Sequence, residues 1–164
     1  MKRIVALGLT ALLVTGSVAS GEVKPKGDMR LRFERVDQEG KDVRNRGRIR
    51  ARMGLYGSAN EEVDLGIGLA TGSSDDPVSR NQTLSGGFTP KSILLDKAYI
   101  DWHPEALKGL NLIGGKMDNP FINIGDYIWD GDLTPEGGAL TYGIGEDMMK
   151  VLVTAGALLG NRVG

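Results

Sequence analysis

Five arginines occupy every second position of one short stretch of this sequence: Arg44, Arg46, Arg48, Arg50 and Arg52. On an extended strand, such neighbours lie about 6 to 7 Å apart and repel one another, so they need carboxylates or an anionic solute nearby. Glu34 and Asp64 share the predicted cationic face and are the candidate partners. The chemistry open to this row is electrostatic, because a cationic wall attracts anions and slows cations.

The remaining polar side chains give weaker signals for chemistry. Four acidic residues share one long irregular stretch: Asp126, Asp130, Asp132 and Glu136. Two of them flank a glycine as in a calcium loop, but the later ligands of such a loop are missing. Carboxylates without a measured separation do not identify a glycosidase. His103 is the only histidine and has no visible triad or metal partner, and the chain has no cysteine. We therefore predict no enzyme activity, no bound metal and no cofactor.

The first 20 residues predict export from the cell interior. Lys2 and Arg3 precede an apolar run over residues 4–14 and then small residues, which is the layout of a signal peptide. Eleven apolar residues are too few for a membrane-spanning helix, which needs about 20. We predict a signal peptide over residues 1–20, cleaved after Ala19 or Ser20. The mature chain then has 18 basic and 21 acidic residues, and no aromatics lie between the arginines, so we expect no binding of nucleic acid.

Strand periodicity positions the arginine row. The residues between the arginines and at the next alternate positions are largely apolar: Asn45, Gly47, Ile49, Ala51, Met53 and Leu55. The same alternation returns after a predicted turn at residues 57–61, so this stretch predicts a hairpin with one polar and one apolar face. With the turn centred near Ala59, Arg50 and Arg52 would lie opposite Gly68 and Gly66, whose missing side chains leave room for guanidinium groups.

Five further strands are predicted, at residues 29–34, 93–102, 110–117, 137–142 and 148–159. No linker divides the mature chain, so we predict one all-β, antiparallel unit of about seven strands over residues 21–164. Longer or charged connections (38–42, 73–92, 118–136) alternate with short turns (57–61, 103–109, 143–147). Long loops on one rim and short turns on the other are typical of a transmembrane β-barrel, and a soluble exported sheet is the alternative. Tyr56, Trp102 and Tyr142 end strands on the short-turn side, where an aromatic belt would lie, although Tyr56 has the parity of the arginines.

The chain resembles the bacterial "putative porin" family of outer-membrane β-barrels over about residues 27–160. The matching runs are Gly27-Asp28-Met29-Arg30, Arg46-Gly47-Arg48-Ile49-Arg50-Ala51-Arg52, Leu69-Ala70-Thr71-Gly72, Pro77-Val78-Ser79, Asn81-Gln82-Thr83, Ala98-Tyr99-Ile100-Asp101-Trp102, Gly114-Gly115-Lys116-Met117, Asn119-Pro120-Phe121, Trp129-Asp130-Gly131-Asp132 and Pro135-Glu136-Gly137. The resemblance implies an outer-membrane porin, that is, a water-filled pore for passive diffusion of small solutes or ions, in contact with outer-membrane lipid.

Several expectations follow for this pore. We expect it to be lined by Glu34, Arg46, Arg48, Arg50, Arg52 and Asp64, and to favour anions. A complete bacterial barrel has an even number of strands, from 8 upward, whereas the sequence predicts seven. We therefore expect an incomplete barrel in this chain, which would be a piece of a longer porin or would assemble with other copies. The alternative function is a soluble periplasmic β-sheet module that binds a ligand through its long loops.

Overall fold

The computed structural model of the protein describes residues 21–121, 128–144 and 151–160. The predicted signal peptide lies outside the described residues, as do residues 145–150, which cover most of the predicted last turn and the start of the last predicted strand. The strands are β1 (Lys24–Val36), β2 (Arg44–Asn60), β3 (Val63–Thr71), β4 (Gln82–Thr83), β5 (Ile93–Trp102), β6 (Leu110–Lys116), β7 (Glu136–Ile144) and β8 (Val151–Leu158), with a short 3-10 helix at Glu105–Leu107. In the described residues, no helix is long and apolar enough to cross a membrane.

The strands form one antiparallel sheet in the order β1-β2-β3-β5-β6-β7-β8. The predicted all-β, antiparallel class is confirmed. The predicted long loop at residues 73–92 contains the two-residue strand β4, which pairs with β2 at Arg48 and Ile49 beyond the end of β3. In the described part of the chain, β1 and β8 do not pair with each other, so the sheet is open and the predicted closure into a barrel stays a prediction.

The two faces of the sheet differ in the side chains that they carry. Large apolar side chains at alternate positions are exposed, as at Met29 (70%), Phe33 (74%) and Met53 (63%). Among the described residues, the buried apolar side chains are only Ala70, Met117 and Ala139. A soluble sheet normally packs its apolar face against a second layer. Here the described residues provide no such layer, and the apolar face is open.

The register of the β2–β3 hairpin corrects the predicted turn. Strand β2 continues to Asn60, and the turn comprises residues 61–62, with a bulge between Ser58 and Asn60. Arg52 consequently pairs with Ala70, and not with Gly66. The prediction that Arg50 and Arg52 lie opposite the glycines was therefore wrong. The periodicity alone does not fix the turn, because the strand pattern continues through the predicted turn residues.

Tyrosine rings, and not guanidinium groups, occupy the space above these glycines. A Cβ added at Gly66 would lie 2.5 Å from the ring of Tyr99, and one added at Gly68 would lie 3.1 Å from the Tyr56 hydroxyl oxygen. Lys26 Nζ lies 5.5 Å from the centre of the Tyr56 ring, within range of a cation–π contact. Tyr56 thus belongs to the polar face, as its parity with the arginines predicts, whereas Trp102 and Tyr142 are exposed with the apolar side chains.

Candidate functional site

The polar face of strands β1 and β2 forms a ladder of charged side chains. Four facing pairs follow one another along it: Asp28–Arg52, Arg30–Arg50, Arg32–Arg48 and Glu34–Arg46. The two central pairs place arginine opposite arginine, and like charges in facing positions destabilise a sheet. Each end of the ladder holds a carboxylate, so the repulsion at its centre is relieved from both ends.

Glu34 neutralises one end of the ladder. Its carboxylate lies 2.7 Å from Arg32 Nη2 and 3.5 Å from Arg48 Nη1, and it also forms an ion pair with Arg46. One acidic side chain therefore serves three guanidinium groups. This confirms that Glu34 is a partner of the arginine row.

Asp28 neutralises the other end. Its two oxygens accept separate hydrogen bonds, one from Arg50 Nη2 at 2.9 Å and one from Arg52 Nε at 2.6 Å. Because each oxygen serves a different arginine, Asp28 holds the two neighbouring side chains of β2 side by side. Charge-assisted hydrogen bonds of this length are stronger than hydrogen bonds between neutral groups.

A third carboxylate reaches the row from the connection between β6 and β7, residues 117–135, which we call loop B. Asp132 Oδ1 lies 3.7 Å from Arg50 Nη1 and 3.7 Å from Arg52 Nη1. At these distances Asp132 forms ion pairs with the two arginines, but the atoms are too far apart for hydrogen bonds. Loop B thus reaches the polar face of β2 through Asp132.

The connection between β3 and β5, residues 72–92, contacts the centre of the ladder and is called loop A. Arg30 Nη2 donates a hydrogen bond of 2.9 Å to Asn81 Oδ1, and Arg48 Nη2 donates one of 3.1 Å to the Asn81 carbonyl oxygen. Of the six arginines of the ladder, Arg30 is the one that has no ion pair with a carboxylate among the described residues.

Positive charge exceeds negative charge on the ladder. Among the described residues, its six arginines are contacted by three carboxylates: Asp28, Glu34 and Asp132. Four buried arginine Nε atoms, those of Arg30, Arg46, Arg48 and Arg50, have no hydrogen-bond partner among the described residues. The surplus positive charge favours the approach of anions.

The structure brings five of the six predicted site residues together: Glu34, Arg46, Arg48, Arg50 and Arg52. The sixth, Asp64, does not contact the row. Its carboxylate accepts a hydrogen bond of 2.5 Å from Ser58 Oγ and lies 3.4 Å from His103 Nε2. The prediction that Asp64 pairs with the arginines was wrong, because the hairpin register places it opposite Ser58, six residues beyond Arg52.

Sequence reasoning missed Asp28 and Asp132 as partners of the row. Asp28 has the same parity as Arg30 and Arg32, so extending the alternation of the first strand by two residues finds it. No periodic signal indicates Asp132, because it lies in an irregular loop. Of the other loop acids, Asp126 lies outside the described residues, and Asp130 Oδ1 accepts a 2.8 Å hydrogen bond from the Asp132 amide. Within the described ranges, no three acidic or histidine side chains are grouped so that they could hold a metal ion.

The chain matches the model of a known protein family. A family model described as putative porin matches residues 23–159 of the chain. No curated protein matches the chain. The matched range covers all the strands that the structure describes, including the arginine ladder and both of the loops that contact it.

Proposed function

Because the chain belongs to the putative porin family, we propose that it forms a water-filled pore in the bacterial outer membrane through which small solutes and ions diffuse passively. The polar face of the sheet lines the pore, and the apolar face contacts outer-membrane lipid. The signal peptide at residues 1–20 delivers the chain for export. The pore acts without enzymatic catalysis and without a cofactor.

The observation that carries this proposal is the opposite character of the two faces of one sheet. Strands that cross a membrane as a barrel alternate between apolar, lipid-facing residues and polar, lumen-facing residues. Here the exposed apolar side chains of β1 and β2 alternate with the charged ladder on the same strands. A soluble sheet with this face uncovered would leave those apolar side chains in water, which costs a free energy of about 25 cal/mol for each Å² of exposed apolar surface.

We further propose that the pore favours anions. Six arginines against three carboxylates among the described residues leave the ladder with a net positive charge. An ion of opposite charge about 6 Å from one uncompensated charge in water gains about 0.7 kcal/mol, which changes its local concentration about threefold. Arg46, Arg48, Arg50 and Arg52 with Glu34 are the lining residues that set this preference, and Asp64 lies farther along the same face.

Ion permeability measured in planar lipid bilayers tests the proposal. The purified protein should form channels, and the triple variant Arg48→Glu, Arg50→Glu, Arg52→Glu should reverse the ratio of chloride to potassium permeability. The matched control changes three exposed cations outside the polar face, Arg35, Lys41 and Lys108, to glutamate: Arg35 has the parity of the apolar residue Phe33, and the two lysines lie in turns. An equal shift in the control, or an unchanged ratio in the arginine variant, would remove the ladder from the pore lining.

Cell fractionation tests the membrane location separately. A barrel should sediment with outer membranes and resist extraction with carbonate, because its apolar face is embedded in lipid. A soluble periplasmic module that binds a ligand through its loops would instead be released by osmotic shock. Release of the protein by osmotic shock would contradict the proposed pore.

A further inference from the structure

The buried polar residues of the described chain form one cluster. They are Thr71, Arg80, Asp96 and Thr134, each of them at most 9% exposed. We call this group the Arg80 cluster. Arg80 Nε donates a hydrogen bond of 2.6 Å to Asp96 Oδ1, and Arg80 Nη2 donates one of 3.0 Å to Thr134 Oγ1. A buried ion pair is costly to desolvate, and removal of one partner alone leaves an uncompensated buried charge.

The cluster joins three separate segments of the chain. Arg80 belongs to loop A, Asp96 to β5 and Thr134 to loop B. Arg80 Nη1 also donates to the Pro77 carbonyl at 2.9 Å, and the Arg80 carbonyl accepts a hydrogen bond of 2.8 Å from Thr71 Oγ1. All the guanidinium nitrogens of Arg80 therefore have partners, and the two long loops are fastened to the sheet through one side chain.

A β-bulge turns Asp96 toward this cluster. The pairing of β3 with β5 shifts between Gly68 and Leu69, which pair with Lys97 and Leu95, so Asp96 is the extra residue. Strict alternation would place Asp96 on the face opposite to Lys97. Bulges re-aim side chains in this way. The chain thus interrupts its own strand pattern at the one position that supplies a carboxylate to Arg80.

The cluster fixes the position of Asp132 against the arginine ladder. Asp132 Oδ2 accepts a hydrogen bond of 3.1 Å from the Arg80 amide, and Thr134, two residues later, is held by the Arg80 side chain. In contrast, Asp132 Oδ1 lies 3.7 Å from both Arg50 and Arg52, beyond hydrogen-bonding distance. Asp132 is therefore held by a hydrogen bond from the Arg80 amide, whereas Arg50 and Arg52 attract it only by charge.

We infer that Arg80 is a positioning residue for ion selectivity: it holds Asp132 as a fixed countercharge on the ladder and so limits the anion preference of the pore. This inference rests on the proposed pore. Among the described residues, Asp132 is one of three carboxylates that contact the six arginines, so its presence or absence on the ladder changes the surplus charge substantially. A freed loop B would carry that charge away from Arg50 and Arg52.

The ratio of chloride to potassium permeability tests the inference in four forms of the full chain. Asp132→Asn should raise the ratio about threefold, the effect of one unit charge about 6 Å from a passing ion in water. The double variant Arg80→Gln, Asp96→Asn replaces a neutral ion pair by a neutral polar pair, so it changes no net charge. It should nevertheless shift the ratio in the same direction, and it should cause no further shift when combined with Asp132→Asn.

Two additional variants control for charge and folding. Glu105→Gln with Lys108→Gln also removes one charge of each sign, in the exposed turn between β5 and β6 and away from loop B, and it should leave the ratio unchanged. Thr134→Val removes one hydroxyl partner of Arg80 without changing charge or size, so it tests the cluster if the double variant does not fold. It should shift the ratio in the same direction as Asp132→Asn and by a smaller factor.

Loop mobility provides a readout that does not need a channel. The chain has no cysteine, so Gly131→Cys, at an exposed position beside Asp132, gives a single site for a nitroxide label. The Arg80→Gln, Asp96→Asn variant should narrow the electron paramagnetic resonance lines of this label, whereas the Glu105→Gln, Lys108→Gln control should not. Unchanged lines, or an equal shift in permeability ratio with and without Asp132, would overturn the inference. Absence of channels in the unmodified protein would instead contradict the proposed pore, while the mobility comparison would still test the positioning role.

Discussion

At the scale of single residues, the polar face depends on carboxylates that each serve more than one arginine. Glu34 contacts three arginines, and Asp28 and Asp132 contact the same two, Arg50 and Arg52. Sharing of this kind leaves surplus positive charge while it relieves the repulsion between facing arginines. The face can therefore remain both folded and cationic.

Gly66 illustrates how the same face accommodates its aromatic residues. A Cβ at this position would lie 2.5 Å from the Tyr99 ring, closer than side-chain atoms pack, so Gly66→Ala should destabilise the protein by about 1 to 3 kcal/mol. Reversible unfolding in urea measures the change. Gly138→Ala is the matched control, because the nearest atom to its added Cβ is 3.6 Å away. In the Tyr99→Ala variant, Gly66→Ala should cause little further loss of stability, because the clashing ring is gone. An undiminished loss in that variant would show that Tyr99 is not its cause.

At the scale of the elements, strand alternation made most of the ladder predictable. The parity of Arg46, Arg48, Arg50 and Arg52 follows from period two, and the bounds predicted for β5, residues 93–102, agree with the structure. Periodicity could not provide the hairpin register, because Ser58 and Asn60 continue the strand through the predicted turn. It also could not indicate Asp96 or Asp132, since one lies at a bulge and the other in a loop, where no repeat constrains the side chain.

If the apolar face of β3 contacts lipid, a charged side chain placed on it should destabilise the protein. Ile67 is half exposed and lies on this face, near the middle of β3. Ile67→Arg should destabilise the bilayer-embedded protein by about 2 to 4 kcal/mol, because a charged side chain on the lipid face of a barrel is expensive near the bilayer midplane. Reversible unfolding from lipid vesicles measures this cost, with Ile67→Met as the apolar control. Equal stability of the two variants would mean that this face does not contact lipid.

At the scale of the whole molecule, the described sheet has two unpaired edges, β1 and β8, and a pore must close them. Unpaired backbone donors and acceptors within a membrane cost several kcal/mol each, so closure is required of any spanning sheet. The strands described here number seven along the sheet, with β4 as a short addition beside β2. Bacterial single-chain barrels have an even number of strands, from 8 upward.

We therefore expect the functional pore to contain strands beyond these seven, and its mass identifies their source. The measurement is the intact mass of the mature protein from outer membranes, together with the mass of the conducting complex in detergent. A protein heavier than residues 21–164 would supply the missing strands from the same polypeptide. If the protein has the mass of residues 21–164 but conducts as a larger complex, the missing strands come from other copies or from another chain. Each edge strand has unpaired backbone donors and acceptors that allow such pairing. A conducting monomer with the mass of residues 21–164 would contradict the expectation, because β1 and β8 would then have to close on each other.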